Sequence, residues 1–248
     1  MKKSYWEKIA PSYNDEIFDV LHHDKKEFIK AAIKKYASKK KNVIDIGCAV
    51  GKWLPVLSPL FKKVYAVDIS SGNLQIAKEL HPQLRNVEYL QADMSKMNKN
   101  IPVCDFGICV NAILTASQKA RSAFFKTISL CIKKGGRIII TVPSLESYLL
   151  TSIIQQQWNI DRHLFRKTKD SNEALRQWNN IRQGNADIDN VPHKHYLKEE
   201  LQLLLSKEKF VTEEFKKIEY SWKTEFHDPP RWLKEPYPWD WMIVARKL

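Results

Sequence analysis

Long apolar runs are missing from this chain of 248 residues. None approaches the ~18 residues that span a bilayer, so no membrane segment is expected. The opening stretch MKKSYWEKIAPSYNDE starts with a lysine pair, Lys2-Lys3, but has no apolar core behind it, and a secretory signal is not expected either. Cysteine is scarce. Cys48, Cys104, Cys109 and Cys131 form no C-x-x-C pair and lie in or beside apolar segments. They read as small buried hydrophobes of a reducing cytoplasm, which excludes a disulfide framework or a metal site as the expectation.

Acidic residues are also in deficit: 28 stand against 41 basic ones, a net charge of +13. That balance invites a nucleic-acid partner. The lysines, however, come as scattered doublets and triplets (Lys39-Lys40-Lys41, Lys62-Lys63, Lys133-Lys134, Lys216-Lys217), mostly where a helix ends or a strand begins. Solvated surface and helix C-terminal charge account for that placement, and nucleic acid is the weaker candidate partner.

What is present is alternation. Residues 24–38 carry Phe28, Ile29, Ala32, Ile33 and Tyr36 at helical spacing. Short apolar strands follow at Val43–Ile46, Val64–Ser70, Val87–Asp93, Phe106–Ile113 and Arg137–Pro143. Helical patterns lie between them, the one over 118–134 ending at Gly135-Gly136. This describes a doubly wound α/β fold with a mostly parallel sheet and ligands at the strand C-termini. Residues 144–192 then show two helical stretches, 145–158 and 171–183, with no strand, and read as a helical cap insertion. A helix at 197–207 and two strands, Phe210–Trp222 and Trp241–Leu248, complete the first domain. The loop 223–240 is too short for a helical crossover, so these strands should pair as an antiparallel hairpin. The expected organisation is 1–143 for the cofactor-binding half, 144–192 for the cap and 193–248 for the C-terminal completion.

Glycine numbers only seven, and VIDIGCAVG (Val43–Gly51) holds two of them as G-x-x-x-G. A dinucleotide pyrophosphate wants G-x-G-x-x-G, and here the third glycine is replaced by Leu54. Asp45 stands two residues before the first glycine, where a carboxylate would repel a phosphate and welcome an ammonium. Asp68 ends the second strand, placed to accept both hydroxyls of a ribose. Asp93 ends the third, where it could accept from an adenine amino group. Acids at three successive strand ends describe a ligand with an ammonium, an unphosphorylated ribose and an adenine, which is S-adenosylmethionine.

These stretches resemble the class I S-adenosylmethionine-dependent methyltransferases of small-molecule type. VIDIGCAVG is similar to their first motif, VYAVDIS to the second, QADM to the adenine-contacting acid motif, and FGICVNAIL to the strand ending beside the transferable methyl. IKKGGRIIITVPS is similar to their Gly-Gly turn and fifth strand, and YWEKIAPSYND to a helix that covers the cofactor. The resemblance implies a seven-stranded sheet, S-adenosyl-L-methionine as cofactor, and a small-molecule acceptor. It implies that Asp45, Gly47, Cys48 and Gly51 form the methionine-side loop under Tyr13. Asp68 would hold the ribose, Ile69, Asp93 and Met94 would frame the adenine, and Asn111 would lie near the sulfonium. Ala49 departs from the family glycine, and the expectation is ordinary binding with its backbone at negative φ.

Methyl transfer asks mainly for positioning and desolvation, with a base only where the nucleophile must lose a proton. PHKHYL (Pro192–Leu197) supplies candidates: His193 or His195 as base and Tyr196 to orient the acceptor, with a histidine cap on the following helix as the structural alternative. His163 and His227 are weaker. Trp158, Trp178, Trp222, Trp232, Tyr237, Trp239 and Trp241 would line an acceptor pocket or fill the seam between cap and sheet. The D-P-P of Asp228–Pro230 reads as a turn. The expected function is methyl transfer to an oxygen or nitrogen of a small molecule by a cytoplasmic monomer or homodimer. An RNA or protein methyltransferase, or a non-catalytic cofactor-binding regulator, is the alternative.

Overall fold

A computed structural model describes residues 3–13, 18–96, 100–162, 171–188 and 191–248. Helix α1 (Lys3–Ile9) leads through a 3-10 turn at Ala10–Ser12 to the short α2 (Val20–His23). Helix α3 (Phe28–Tyr36) buries Ile29, Ala32 and Ile33. It starts four residues later than the apolar spacing suggests because Asp24 caps it, accepting from the N–H groups of Phe28 and Ile29.

Strands β1 (Asn42–Ile46), β2 (Lys63–Asp68), β3 (Val87–Gln91), β4 (Cys104–Val110) and β5 (Ile132–Pro143) follow in sequence. Between them run α4 (Leu54–Leu57), α5 (Ser71–Leu80) and α6 (Gln118–Cys131). Then come α7 (Leu145–Trp158), α8 (Ser171–Arg182), β6 (Asn185–Ile188), β7 (Val191–Lys194), α9 (Lys198–Lys207), β8 (Phe210–Glu219) and β9 (Trp239–Lys247). The seven-stranded sheet has the order β3-β2-β1-β4-β5-β9-β8, with β9 antiparallel to both neighbours. Period-two alternation divides each strand between two layers. Ile44 and Ile46 join the core with Phe125, while Val43 joins Phe61 and Phe106; in β9, Ile243 and Val244 separate in the same way. The reversal of strand order at β1 and β4 opens the crevice in which a doubly wound fold binds its ligand.

Two expectations require correction. Helix α6 stops at Cys131, because Ile132 already pairs with Cys104 and begins β5; Gly135 then lies inside that strand at φ +77. The cap also contains strand: β6 and β7 form an antiparallel hairpin, and a bridge from His193 to Thr115 ties it to the loop after β4. These segments are four residues each and β7 contains Pro192, so no alternating apolar pattern announced them. Among the described residues no helix is long and apolar enough to cross a membrane, and no group of three or more His, Cys, Asp or Glu could hold a metal ion.

Candidate active site

The loop after β1 is fixed first by backbone. The N–H groups of Gly47 and Cys48 both donate to the Val67 carbonyl, at 2.8 and 3.0 Å, joining the end of β1 to the end of β2. Gly47 has φ +72, and a Cβ there would come within 2.3 Å of the Ala112 Cβ. Ala49 also lies in the left-handed region, at φ +47. This corrects the expectation of negative φ, and the conformation costs alanine on the order of 1 kcal/mol. What holds it there is its own N–H, which donates to Asp68 Oδ2 at 3.0 Å.

Asp68 accepts a second backbone hydrogen bond from Ser70 at 2.8 Å. Burial raises its carboxyl above the ordinary range, against the pull of these donors. The Ser70 hydroxyl caps α5 and donates to Glu7 Oε2 at 2.9 Å. Glu7 also accepts from the N–H groups of Ser71 and Gly72, at 2.9 and 3.0 Å. Partial burial opposes its ionisation, but these donors hold the Glu7 carboxyl down at about 2. A carboxylate from α1 thus sits on the N-terminus of α5 and latches the N-terminal segment across the crevice, bringing Trp6 and Tyr13 over it.

The crevice has two lobes. Val67, Asp68, Ile69, Asp93, Met94 and Phe124 line the narrower one. Asp93 lies two residues past the end of β3 rather than at it, and its Oδ1 accepts from the N–H and hydroxyl of Ser95. The wider lobe, about 500 Å³, takes in Asp45, Cys48, Tyr148, His193, His195 and Asp240. Gly47, Ala49, Tyr13 and Asn111 face both lobes.

Asp45 is 2% exposed, and its Oδ2 has no hydrogen-bond partner among the described residues. Burial, with a further push from the charge of Asp68, raises its carboxyl to about 8. Asn111 adopts φ +48 past β4 and donates from Nδ2 to Asp240 Oδ2 at 2.8 Å. The same oxygen accepts from the Tyr220 hydroxyl at 2.8 Å. His195 is buried and its Nδ1 lies 3.2 Å from the His193 carbonyl; burial pulls the imidazole down to about 4. His193 Nδ1 lies 2.8 Å from the Val191 carbonyl. Nδ1–H donation to these carbonyls leaves each Nε2 as the proton acceptor.

Most expected residues therefore meet in one crevice, with two exceptions. Gly51 does not line it: a Cβ there would strike Leu54, so this glycine packs the back of the loop against α4. Tyr196 does not line it either. It is fully buried against Phe125 and donates its hydroxyl to the Ile113 carbonyl at 2.8 Å, a core residue rather than an acceptor-orienting one. Of the tryptophans singled out in the sequence only Trp239 lines the wider lobe; Trp222 is core, and Trp158, Trp178 and Trp232 are exposed. His227 lies outside the lining, and His163 lies outside the described residues. Sequence reasoning missed Glu7, Tyr220, Glu225 and Asp240. Only Asp240 gave a signal, as an acid between two tryptophans at the start of a buried strand.

The residues fit S-adenosylmethionine. An unpartnered buried carboxylate oxygen suits its ammonium, Asp68 at the end of β2 suits its ribose, and Ile69 and Met94 suit the faces of its adenine. Comparison with known proteins agrees. Residues 43–136 match the methyltransferase domain family. The chain is 32% identical over 115 residues to methyltransferase 235L of Invertebrate iridescent virus 6, a match covering 46% of this chain and only 41% of that protein. A crystal structure of a protein from Pyrococcus horikoshii OT3 superposes with a TM-score of 0.64 at 20% identity, covering all of both chains. The N-methyltransferase NodS from Bradyrhizobium japonicum WM9, solved with S-adenosyl-L-homocysteine, superposes with a TM-score of 0.62 at 10% identity, covering 99% of this chain and 97% of that one. Residues 43–136 thus carry a methyltransferase domain, on a sheet with the Rossmann-like order of S-adenosylmethionine-dependent methyltransferases.

Proposed function

We propose that the chain transfers a methyl group from S-adenosylmethionine to an oxygen or nitrogen nucleophile of a small molecule held in the wider lobe. The observation that carries this reading is the continuity of the crevice. Asp68 stands in one lobe and the unpartnered Asp45 in the other, with Gly47 and Asn111 facing both. When bound, S-adenosylmethionine supplies a methyl on a sulfonium, an electrophile that needs no further activation.

The protein's part is to bind, orient and dry the site. Asp68 accepts the ribose hydroxyls, and Asp93 with Met94 frames the adenine edge. The carboxylate of Asp45 accepts from the ammonium, while Gly47 and Cys48 leave room for the methionine chain. Tyr13 and Trp6, held down by the Glu7 latch, exclude water. Where the nucleophile must lose a proton, Nε2 of His193 or His195 is in place to take it. A lining with one lysine among the described residues, Lys52, favours a small molecule over nucleic acid.

Calorimetric titration tests this. S-adenosylmethionine should bind the wild type, and Asp68→Ala should weaken it by at least about tenfold, the value of a lost charge-assisted hydrogen bond. Binding of NAD in preference to S-adenosylmethionine would reject the assignment.

A further inference from the structure

The charge of the crevice is opposite to that of the chain. Against an excess of basic residues overall, the wider lobe is lined by Asp19, Asp45, Glu225 and Asp240 and by one lysine, Lys52. Lys52 is already paired, its Nζ 2.9 Å from Asp19 Oδ2. Asp45 belongs to the cofactor loop. Of the lining histidines, His195 brings no fixed charge, because burial keeps it neutral near pH 7, and His193 holds its Nδ1 on the Val191 carbonyl. Among the described lining residues no lysine or arginine is left for Asp240 and Glu225, while Lys217, outside the lining, sets its Nζ 3.6 Å from the centre of the Trp239 ring.

Asp240 is built in with care. It is the second residue of β9, at the end of the sheet where β4 and β8 finish, and it is 8% exposed. The Asn111 amide and the Tyr220 hydroxyl both donate to its Oδ2. These donors are neutral, so they fix the carboxylate in place without cancelling its charge. Glu225 stands exposed at the mouth, its Oε1 3.2 Å from the Thr224 hydroxyl. Crowding by protein atoms and the charge of Asp240 raise its carboxyl, so the two acids sense one another. Phe18, Trp53, Tyr148, Tyr220 and Trp239 line the same space. The indole Nε1 of Trp239, a residue 8% exposed, has no hydrogen-bond partner among the described residues. Fixed carboxylates beside aromatic rings are the surroundings that hold an organic ammonium.

The geometry points to a primary or secondary amine with an apolar or aromatic body as the acceptor, its nitrogen held as an ammonium against Asp240 and Glu225 and deprotonated by Asp240. The inference rests on the methyltransferase reading and narrows it to nitrogen. In the proton step one N–H bond breaks, its electron pair stays on nitrogen as the nucleophilic lone pair, and an O–H bond forms on Asp240. The proton then passes to water at the mouth, where Glu225 stands. Burial sets the Asp240 carboxyl at about 6, against about 4 for His195, so Asp240 is the stronger proton acceptor of the two. A carboxylate or phosphate acceptor would meet two like charges, and an alcohol would leave both unanswered.

The test is calorimetry on wild-type protein saturated with S-adenosylhomocysteine. The probes are phenethylamine and hexylamine, each with its alcohol and carboxylate counterpart. The amines should bind at least about tenfold tighter than the matched alcohols and carboxylates. Asp240→Asn should remove about tenfold of the amine affinity and Glu225→Gln about threefold, with S-adenosylhomocysteine binding in both within about threefold of wild type. Equal or better binding of the alcohols or carboxylates, or no amine binding at millimolar concentration, overturns the inference and leaves the methyltransferase reading standing. Failure of S-adenosylhomocysteine to bind the wild type overturns both. The selectivity of the wild type decides the matter even if Asp240→Asn fails to fold.

Discussion

The protein treats the aspartates of β1 and β2 differently. On the adenosine side Asp68 accepts from the N–H groups of Ala49 and Ser70, and Asp93 from Ser95, so the protein itself satisfies each carboxylate. Asp45, in the wider lobe, has its Oδ2 buried without a partner among the described residues. The first arrangement stabilises the fold and sets the site in advance. The second destabilises the free protein and is answered only by ligand, as expected where function and stability compete. Two aspartates some twenty residues apart should therefore respond to mutation with opposite signs.

The largest effect should come from Asp45→Asn. Removing the carboxylate proposed to meet the ammonium should weaken S-adenosylmethionine by about 100-fold, in the range for a broken buried charge pair. The same change should raise the melting temperature of the free protein, by about 1–2 kcal/mol of stability near neutral pH, because an acid that resists ionisation has gone. Asp68→Asn should lower both. Its amide cannot accept from the N–H groups of Ala49 and Ser70 together, which costs about 1–3 kcal/mol in denaturant unfolding and at least about tenfold in affinity. A melting temperature that moves the same way in both variants would break the comparison.

Smaller changes sharpen it. Glu7→Gln weakens the latch without touching either lobe, and S-adenosylmethionine should dissociate about three- to tenfold faster in stopped-flow measurements. The Glu7 carboxyl lies near 2, below its ordinary 4.5, so the latch's contribution is present above about pH 4.5 and fades only as the pH falls toward about 2. Ala49→Gly should be the mildest change. Releasing an alanine from φ +47 should add up to about 1 kcal/mol of stability and leave affinity within about threefold.

The same division governs what could be read in the sequence. The cofactor half is carried by local signals, an apolar run, a turn and an acid at the strand end, so Asp45, Asp68 and Asn111 could be placed before the fold was known. Non-local contacts left little trace. Glu7 reaches α5 across more than sixty residues, and Asp240 meets Asn111 across 129. Tyr196 shows the converse error: a tyrosine beside two histidines reads as chemistry, yet the helix behind it draws the ring into the core. At Ala49 the turn set the backbone against residue preference, because the Asp68 carboxylate holds its N–H.

The most direct test of this account is proton release on binding. Burial holds the Asp45 carboxyl at about 8, so it is mostly protonated near neutral pH, and an arriving ammonium should force it to ionise. A raised carboxyl makes the free protein less stable as the pH climbs from about 4 toward about 8, and makes S-adenosylmethionine bind more tightly over about pH 6 to about 8. Titration near neutral pH in buffers of different ionisation enthalpy should show close to one proton released per S-adenosylmethionine, falling to near zero in Asp45→Asn. No proton release by the wild type, with affinity flat across that range, would mean that Asp45 is already ionised or never meets the ammonium, and would contradict the account.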